Sequence, residues 1–345
     1  MPSESYLAQT LQFCKEWLLG KETFHIFTSG STGTPKAITI SRKQMQESAS
    51  ATAKALGLQA GDNAFICLNT NYIAGKMMLV RGLEIGMNMI VAEPAANPFA
   101  GMETPLPHFD FYAFVPLQLQ TLLEEGKQIE KLNKAKAIIV GGAPVNAALA
   151  NALQTISAPI YATYGMTETV SHIALKRLNG KEQSPYYQVL PNTQIGQDER
   201  GCLTIISPVT HFEKIITNDK VKLIDSQRFE WIGRVDNVIN SGGVKIQIEK
   251  IENEIDTLFA KLGILQRFAV VGLPDGKLGE AVTLVVEGNS LLAHVADNEI
   301  LNLLKNKLSK YEVPKKILYL PALPETETNK INKLKIKALL AGLAN

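Results

Sequence analysis

Five short apolar runs, at residues 64–68, 88–92, 111–115, 137–140 and 159–161, alternate along the chain with helical stretches such as 116–125 and 146–153. Strand-length apolar segments separated by helical ones predict a layered α/β body, because helices that connect parallel strands also cover the sheet they form. Ahead of them, residues 3–19 read as an amphipathic helix with Leu7, Leu11, Trp17 and Leu18 on one face, Ser3 as its cap and Gly20 after its end. A strand over 24–28 is broken by a Gly/Ser/Thr run at 29–33 and resumes over 37–40, after which Ser41 caps a long helix through Leu56. The pattern is a hairpin-like loop before a helix.

From Gly201 the texture changes to short strands at 203–207, 222–224 and 229–232, and a second unit follows with helices over 248–259 and 297–308 and strands over 267–273 and 281–286. The boundary falls between Gly233 and Asp236, dividing the chain into domains at 1–233 and 234–345. A length of 345 residues also exceeds what one core usually serves. Lys plus Arg number 35 against 33 Asp plus Glu, too balanced for a sequence-independent nucleic-acid binder. Residues 301–345 hold nine Lys against three Glu, a basic stretch that reads as a solvated helix face or as the neighbour of a polyanion. Cys14, Cys67 and Cys202 are odd in number and in no CxxC spacing, which indicates neither a disulfide framework nor a zinc site and suits a reducing cytoplasm. With no signal-like start and no long apolar run, neither secretion nor membrane spanning is expected.

The stretch Thr28-Ser29-Gly30-Ser31-Thr32-Gly33-Thr34-Pro35-Lys36 packs hydroxyls, glycines and a lysine into one loop. Backbone amides and hydroxyls of this kind wrap phosphate oxygens, and glycine permits the close approach. It is not a Walker A loop, since Thr34-Pro35 separates Gly33 from Lys36 and Ala37 follows.

The loop resembles the phosphate loop of the adenylate-forming superfamily, the acyl-CoA synthetases, luciferases and peptide-synthetase adenylation domains. The resemblance continues in the family's order. Gly141-Gly142-Ala143-Pro144 is similar to the adenine-side loop, and Tyr164-Gly165-Met166-Thr167-Glu168-Thr169 to the Tyr-Gly-x-Thr-Glu signature. Thr217-Asn218-Asp219 stands at the Thr-Gly-Asp position, and Gly233-Arg234-Val235-Asp236 at Gly-Arg-x-Asp. Further on, Ser241-Gly242-Gly243 looks like the Ser-Gly-Gly element and the segment 324–330 like Pro-x-Thr-x-x-Gly-Lys, ending in Lys330. Asn218 and Asn329 replace family glycines, a change asparagine tolerates where a left-handed backbone is required.

The resemblance implies the adenylate-forming enzyme fold: a large layered α/β N-terminal domain, shortened at its front, and a small α+β C-terminal domain. It implies ATP binding by Thr28, Ser29, Gly30, Ser31, Thr32, Gly33, Lys36, Gly141, Gly142, Ala143, Tyr164, Gly165, Asp219 and Arg234. Small residues at 141–143 let backbone lie along a purine face, and Asp219 would accept the ribose hydroxyls. Arg234 adds a fixed positive fork. Glu168 supplies the hard oxygen that magnesium prefers, with Thr167 on the α-phosphate. Lys330 would reach the reacting carboxylate, Asp236 would be the hinge, and Gly242 and Gly243 would flank the CoA channel. Family members carry a whole subdomain before the phosphate loop, so this chain is either a compact lineage or a fragment.

Peptide-synthetase modules would carry a carrier domain after Asn345, and luciferases an oxidation pocket that no segment here suggests. Free-standing acyl-CoA ligases remain. Among them, the o-succinylbenzoate-CoA ligases of menaquinone biosynthesis have an acyl-pocket segment similar to residues 71–75 with Arg81 beyond it, Tyr72 taking the place of a histidine. Their substrate has a ring and a second carboxylate, for which a cation such as Lys76 or Arg81 and an aromatic such as Tyr72 or Tyr164 are suited. The expected reaction joins a carboxylate to ATP as an acyl-adenylate and then to CoA, with Mg2+ as cofactor. A generic acyl- or aryl-CoA ligase and a nucleotide-binding pseudoenzyme are the alternatives. Without the covering subdomain, exposed apolar surface would suit a homodimer.

Overall fold

The computed structural model describes residues 5–28, 36–102, 106–291, 295–326 and 331–342. The first helix is Tyr6–Leu18, shorter than the pattern over 3–19, and its cap is Ser5, whose hydroxyl accepts from the Ala8 amide. Ser3 lies outside the described residues. The expected single apolar face is also divided. Thr10, Phe13 and Trp17 are buried, with Trp17 stacked on Phe24 at 5.4 Å between ring centroids, while Leu7, Leu11 and Leu18 face outward. A spacing of three and four residues aligns Thr10, Phe13 and Trp17 on one stripe, and the hairpin supplies its partner.

Strands Thr23–Thr28 and Lys36–Ser41 form that antiparallel hairpin. Ser41 and Gln44 then close a reciprocal capping box on helix Arg42–Leu56, the hydroxyl accepting from the Gln44 amide and the Gln44 side chain from the Ser41 amide.

An eleven-stranded sheet organises the larger part of the molecule. Strands Asn88–Val91, Asn63–Ile66, Phe111–Phe114, Ala137–Val140 and Ile160–Gly165 lie side by side and parallel, in that order. Alternate residues face opposite layers: Ala64, Ile66, Phe111 and Ile139 join one core, whereas Phe65, Tyr112, Phe114 and Ile138 join another. Helices Arg42–Leu56 and Ile73–Ile85 cover the first face, and Pro116–Glu125 and Ala147–Ala152 the second. The sheet continues antiparallel through His172–Arg177, Tyr187–Val189, Arg228–Arg234, Ile215–Leu223, Cys202–Ile206 and Gln194–Gln197.

Between Arg234 and Val238 the chain leaves this sheet for a five-stranded one. Helices Ile248–Leu262 and Asp297–Lys305 cover one face of the smaller sheet, and helix Lys333–Gly342 the other. Away from the connecting segment, the Asp256 carboxylate of that part accepts from the Ala147 amide of the larger one at 2.5 Å. All three cysteines are free thiols, and no helix among the described residues is long and apolar enough to cross a membrane.

Candidate functional site

The sheet changes from parallel to antiparallel after Ile160–Gly165, and the motif residues gather at the carboxyl ends of the parallel strands beside that switch. Gly141, Gly142 and Ala143 follow directly on Ala137–Val140, with Gly142 and Ala143 open to solvent. Tyr164 lies in the last parallel strand and Asp219 in Ile215–Leu223 across the antiparallel half. The Tyr164 hydroxyl donates to Asp219 Oδ2 at 2.7 Å, and Trp231 Nε1 donates to Oδ1 at 3.0 Å. Burial, and then the Asp219 charge, push the Tyr164 phenol far above its ordinary range, so it remains a donor. Asp219 is 7% exposed and held by neutral donors. An ionised carboxylate offers about four acceptor positions, which leaves room for hydroxyls of a ligand.

The signature runs into a tight turn. Gly165 is required by close approach: a Cβ there would lie 2.3 Å from the Ser171 carbonyl oxygen and 2.5 Å from His172 Cα. Beyond it, the Thr169 hydroxyl accepts from the Met166 amide at 3.0 Å and donates within reach of the Met166 and Ser171 carbonyls. Val170 sits at φ 64, a costly conformation for a β-branched residue, and the pinned turn enforces it. Glu168 projects to solvent, with no ion pair or hydrogen bond to the described residues. No group of three His, Cys, Asp or Glu among the described residues could hold a metal unaided. One free carboxylate fits magnesium nonetheless, since that ion is commonly held by one or two carboxylates together with phosphate and water.

Arg234 ends strand Arg228–Arg234 and grips Asp236 bidentately, Nε to Oδ1 at 2.9 Å and Nη2 to Oδ2 at 2.7 Å. That guanidinium holds the Asp236 carboxyl below the usual carboxylate range. The grip extends outward: Asn218 donates to Asp236 at 3.2 Å, and Arg200 to Asn218 at 3.1 Å. Asn218 therefore lies inside a regular strand, with no positive φ, and the left-handed backbone expected for it is absent. The side chains of Asn237 and Gln247 meet on Glu249, and Gln247 also donates to the Arg234 carbonyl at 2.8 Å.

Gly242 and Gly243, at φ 58 and 81, make the two-residue turn between strands Val238–Ser241 and Val244–Gln247. Such a hairpin needs left-handed backbone at both positions, which accounts for the glycine pair on local grounds. Lys330 and residues 29–35 of the glycine-rich loop lie outside the described residues; Thr28 and Lys36 are described as the paired ends of the hairpin flanking it.

Tyr72, Lys76 and Arg81 belong to the start and body of helix Ile73–Ile85 but not to one environment. Tyr72 is exposed. Lys76 donates to the carbonyls of Thr70 at 2.9 Å and Asn71 at 3.0 Å. Arg81 is only 2% exposed: Nε donates to Thr52 Oγ1 at 3.3 Å and Nη2 to Ser171 Oγ at 2.8 Å, while Nη1 meets only the Met78 sulfur at 3.9 Å. Burial pulls its guanidinium down to about 10. Burial and the Arg81 charge hold the His172 imidazole well below its ordinary range.

Sequence reasoning missed Trp231, Thr52, Ser171 and His172. In strand Arg228–Arg234 an aromatic reads as core packing, and only the invariable need of a buried indole N–H for an acceptor hinted at more. Ser171 and His172 directly follow the signature, and that adjacency was the available signal.

A model of the AMP-binding enzyme family matches residues 21–199, and one of the AMP-binding enzyme C-terminal domain matches residues 254–330. The crystal structure of an acyl-CoA synthetase (AMP-forming)/AMP-acid ligase II-like protein from Dyadobacter fermentans is 45% identical, with a TM-score of 0.65, over 98% of this chain and 95% of that one. The 2-succinylbenzoate–CoA ligase of Bacillus cereus is 24% identical over 94% of this chain and 72% of its own length. The o-succinylbenzoate CoA synthetase of Bacillus subtilis, solved with ATP and magnesium ion, shares the fold with a TM-score of 0.72 at 22% identity, over 91% of this chain and 69% of that one.

Proposed function

Since the chain belongs to the AMP-binding enzyme family, we propose that it is an AMP-forming acid–thiol ligase whose acid is o-succinylbenzoate or a closely similar aromatic dicarboxylate. The observation that carries the choice of acid is Arg81. A guanidinium buried among hydroxyls, an imidazole and a thioether, with no carboxylate paired to it among the described residues, is costly unless an anion completes it. It sits directly behind the signature turn, because Gly165 packs on Ser171 and His172 and Ser171 bonds Arg81. Its unspent Nη1 edge would take the remote carboxylate while the other carboxylate faces the nucleotide.

In the first half-reaction an oxygen of the reacting carboxylate forms a bond to the α-phosphorus of ATP, and the bond to pyrophosphate breaks. In the second, the CoA thiol loses its proton and its sulfur attacks the acyl carbon, releasing AMP. No protein nucleophile is required, so alignment and charge neutralisation carry the rate. Asp219, steadied by Tyr164 and Trp231, would orient the ribose, and the backbone at Gly141–Ala143 would border the base. Thr167 would bond the α-phosphate. Magnesium, when bound, neutralises phosphate charge, and Glu168 would be its protein ligand. Lys330 would reach the reacting carboxylate, and rotation at Asp236 would exchange it for Gly242 and Gly243 beside the thiol arm.

The test is pyrophosphate release and thioester formation with ATP, CoA and a panel of acids. Turnover of o-succinylbenzoate in preference to benzoate and fatty acids is the expected result. Preference for a monocarboxylate would turn the assignment to a generic acyl- or aryl-CoA ligase, and absence of pyrophosphate release with every acid would indicate a nucleotide-binding protein without ligase activity. Glu168→Gln should lower adenylate formation by about 100-fold.

A further inference from the structure

Arg81 and Glu168 are expected at opposite ends of the reacting molecules, yet a continuous set of hydrogen bonds joins Arg81 to the turn that carries Glu168. Donor bookkeeping assigns each proton in it. Thr52 Oγ1 donates to the Ser48 carbonyl at 2.9 Å, so it can only accept from Arg81 Nε and from His172 Nε2 at 3.2 Å. The proton of His172 is therefore on Nε2, and Nδ1 is a bare acceptor facing Arg81 Nη2 at 3.5 Å and Ser171 Oγ at 3.4 Å. Ser171 Oγ accepts from Arg81 at 2.8 Å and turns its own proton toward His172. Every partner of the cation among the described residues is neutral.

Ser171 is also an end of the signature turn. Its amide donates to the Thr169 carbonyl at 2.6 Å, and its carbonyl accepts from the Thr169 hydroxyl at 2.9 Å. The same hydroxyl holds Met166, so the four residues between Met166 and Ser171, Thr167 to Val170, are fixed at both ends, with Val170 at positive φ as the cost.

We propose that Ser171 is a positioning residue: its hydroxyl couples the buried Arg81 guanidinium to the turn bearing Glu168, so that the cation at the acid end and the carboxylate at the magnesium end strengthen one another. The proposal deepens the ligase reading and rests on it for the roles of Glu168 and Arg81. An acid anion drawing on Arg81 would then alter the magnesium end, and the reverse holds by thermodynamic reciprocity. Discrimination between acids would reside partly in this coupling as well as in direct contact.

The experiment needs no acid. Calorimetry gives the affinity of the full chain for ATP with and without Mg2+, and the ratio is the magnesium-dependent part. Ser171→Ala should lower that ratio by about threefold to tenfold, the scale of one ordinary hydrogen bond, with magnesium-free ATP binding unchanged. Ser171→Thr, which keeps the hydroxyl, should restore it. Arg81→Gln should produce a similar loss, with Arg81→Lys in reserve should Gln fail to fold, and the double variant should lose no more than either single one. Additive losses, or an unchanged ratio in a folded Ser171→Ala, would overturn the coupling. The reading beneath it fails separately, through a Glu168→Gln protein that keeps its full magnesium dependence.

Discussion

Asp219 and Arg81 are buried charges of opposite sign, and among the described residues the side chains that hydrogen-bond them are neutral: a phenol and an indole on the anion, which also has Arg234 as its cross-strand neighbour, and hydroxyls and an imidazole on the cation. At the other ends of the same parallel strands the solution is different. There Asp62 and Asp110, buried as well, share Lys136, the first in direct contact and the second at 3.8 Å, with His108 on Asp110 at 3.2 Å. An ion pair compensates charge within the protein, whereas neutral donors or acceptors orient a charge and leave its field available to something else. The amino ends of the strands thus neutralise their buried carboxylates with cations, whereas at the carboxyl ends neutral side chains hydrogen-bond the buried charges.

The comparison can be broken most forcefully at Asp219. Asp219→Asn replaces an acceptor by an amide among donors and should raise the Kd for ATP by about 100-fold, while leaving the KM for the acid within about threefold. Arg81→Gln should do the converse, raising the KM for o-succinylbenzoate by about tenfold or more, with a far smaller change in Kd for magnesium-free ATP. Crossed effects, with Asp219 governing the acid or Arg81 the nucleotide itself, would dissolve the division between the two clusters.

His172 sharpens it through pH. Its folded-state proton affinity is depressed, chiefly by burial and then by Arg81, so below the ordinary imidazole range the unfolded chain takes up a proton that the folded chain does not. The stability tied to the neutral ring is fully present above about pH 6.5 and declines as the pH falls. Between about pH 7.5 and 5.5 the wild type should lose about 1 kcal/mol more in denaturant unfolding than His172→Gln, which cannot titrate there. Equal losses would mean that the ring is reached by solvent. The smallest effect is expected for Trp231→Phe, which keeps an aromatic ring and removes one donor from Asp219: ATP affinity should weaken about threefold by calorimetry.

The elements of the α/β body were legible because crossover helices and buried strands have different periods, and the hairpin because a Gly/Ser/Thr run interrupts two β-rich segments. Ser41 as a cap was read correctly because capping is a contact between residues three apart, and its box with Gln44 is as local. Ser3 as a cap was not, since Ser5 satisfies the same local rule two residues later. Arg81 illustrates the limit. The helix pattern places it on an apolar face without saying what it meets, and its partners there are Thr52, 29 residues away, and Ser171, 90 residues away.

The sequence by itself determined the order of the motifs, the glycines its turns and close contacts demand, and the family to which the chain belongs, because these depend on neighbours along the chain or on spacings within one element. The tertiary structure alone decided what each charge meets: Trp231 on Asp219, His172 and Ser171 on Arg81, Asp236 on Arg234. A charge acquires its meaning from what replaces water around it, and that replacement is made by side chains from separate strands and helices whose meeting no local pattern encodes.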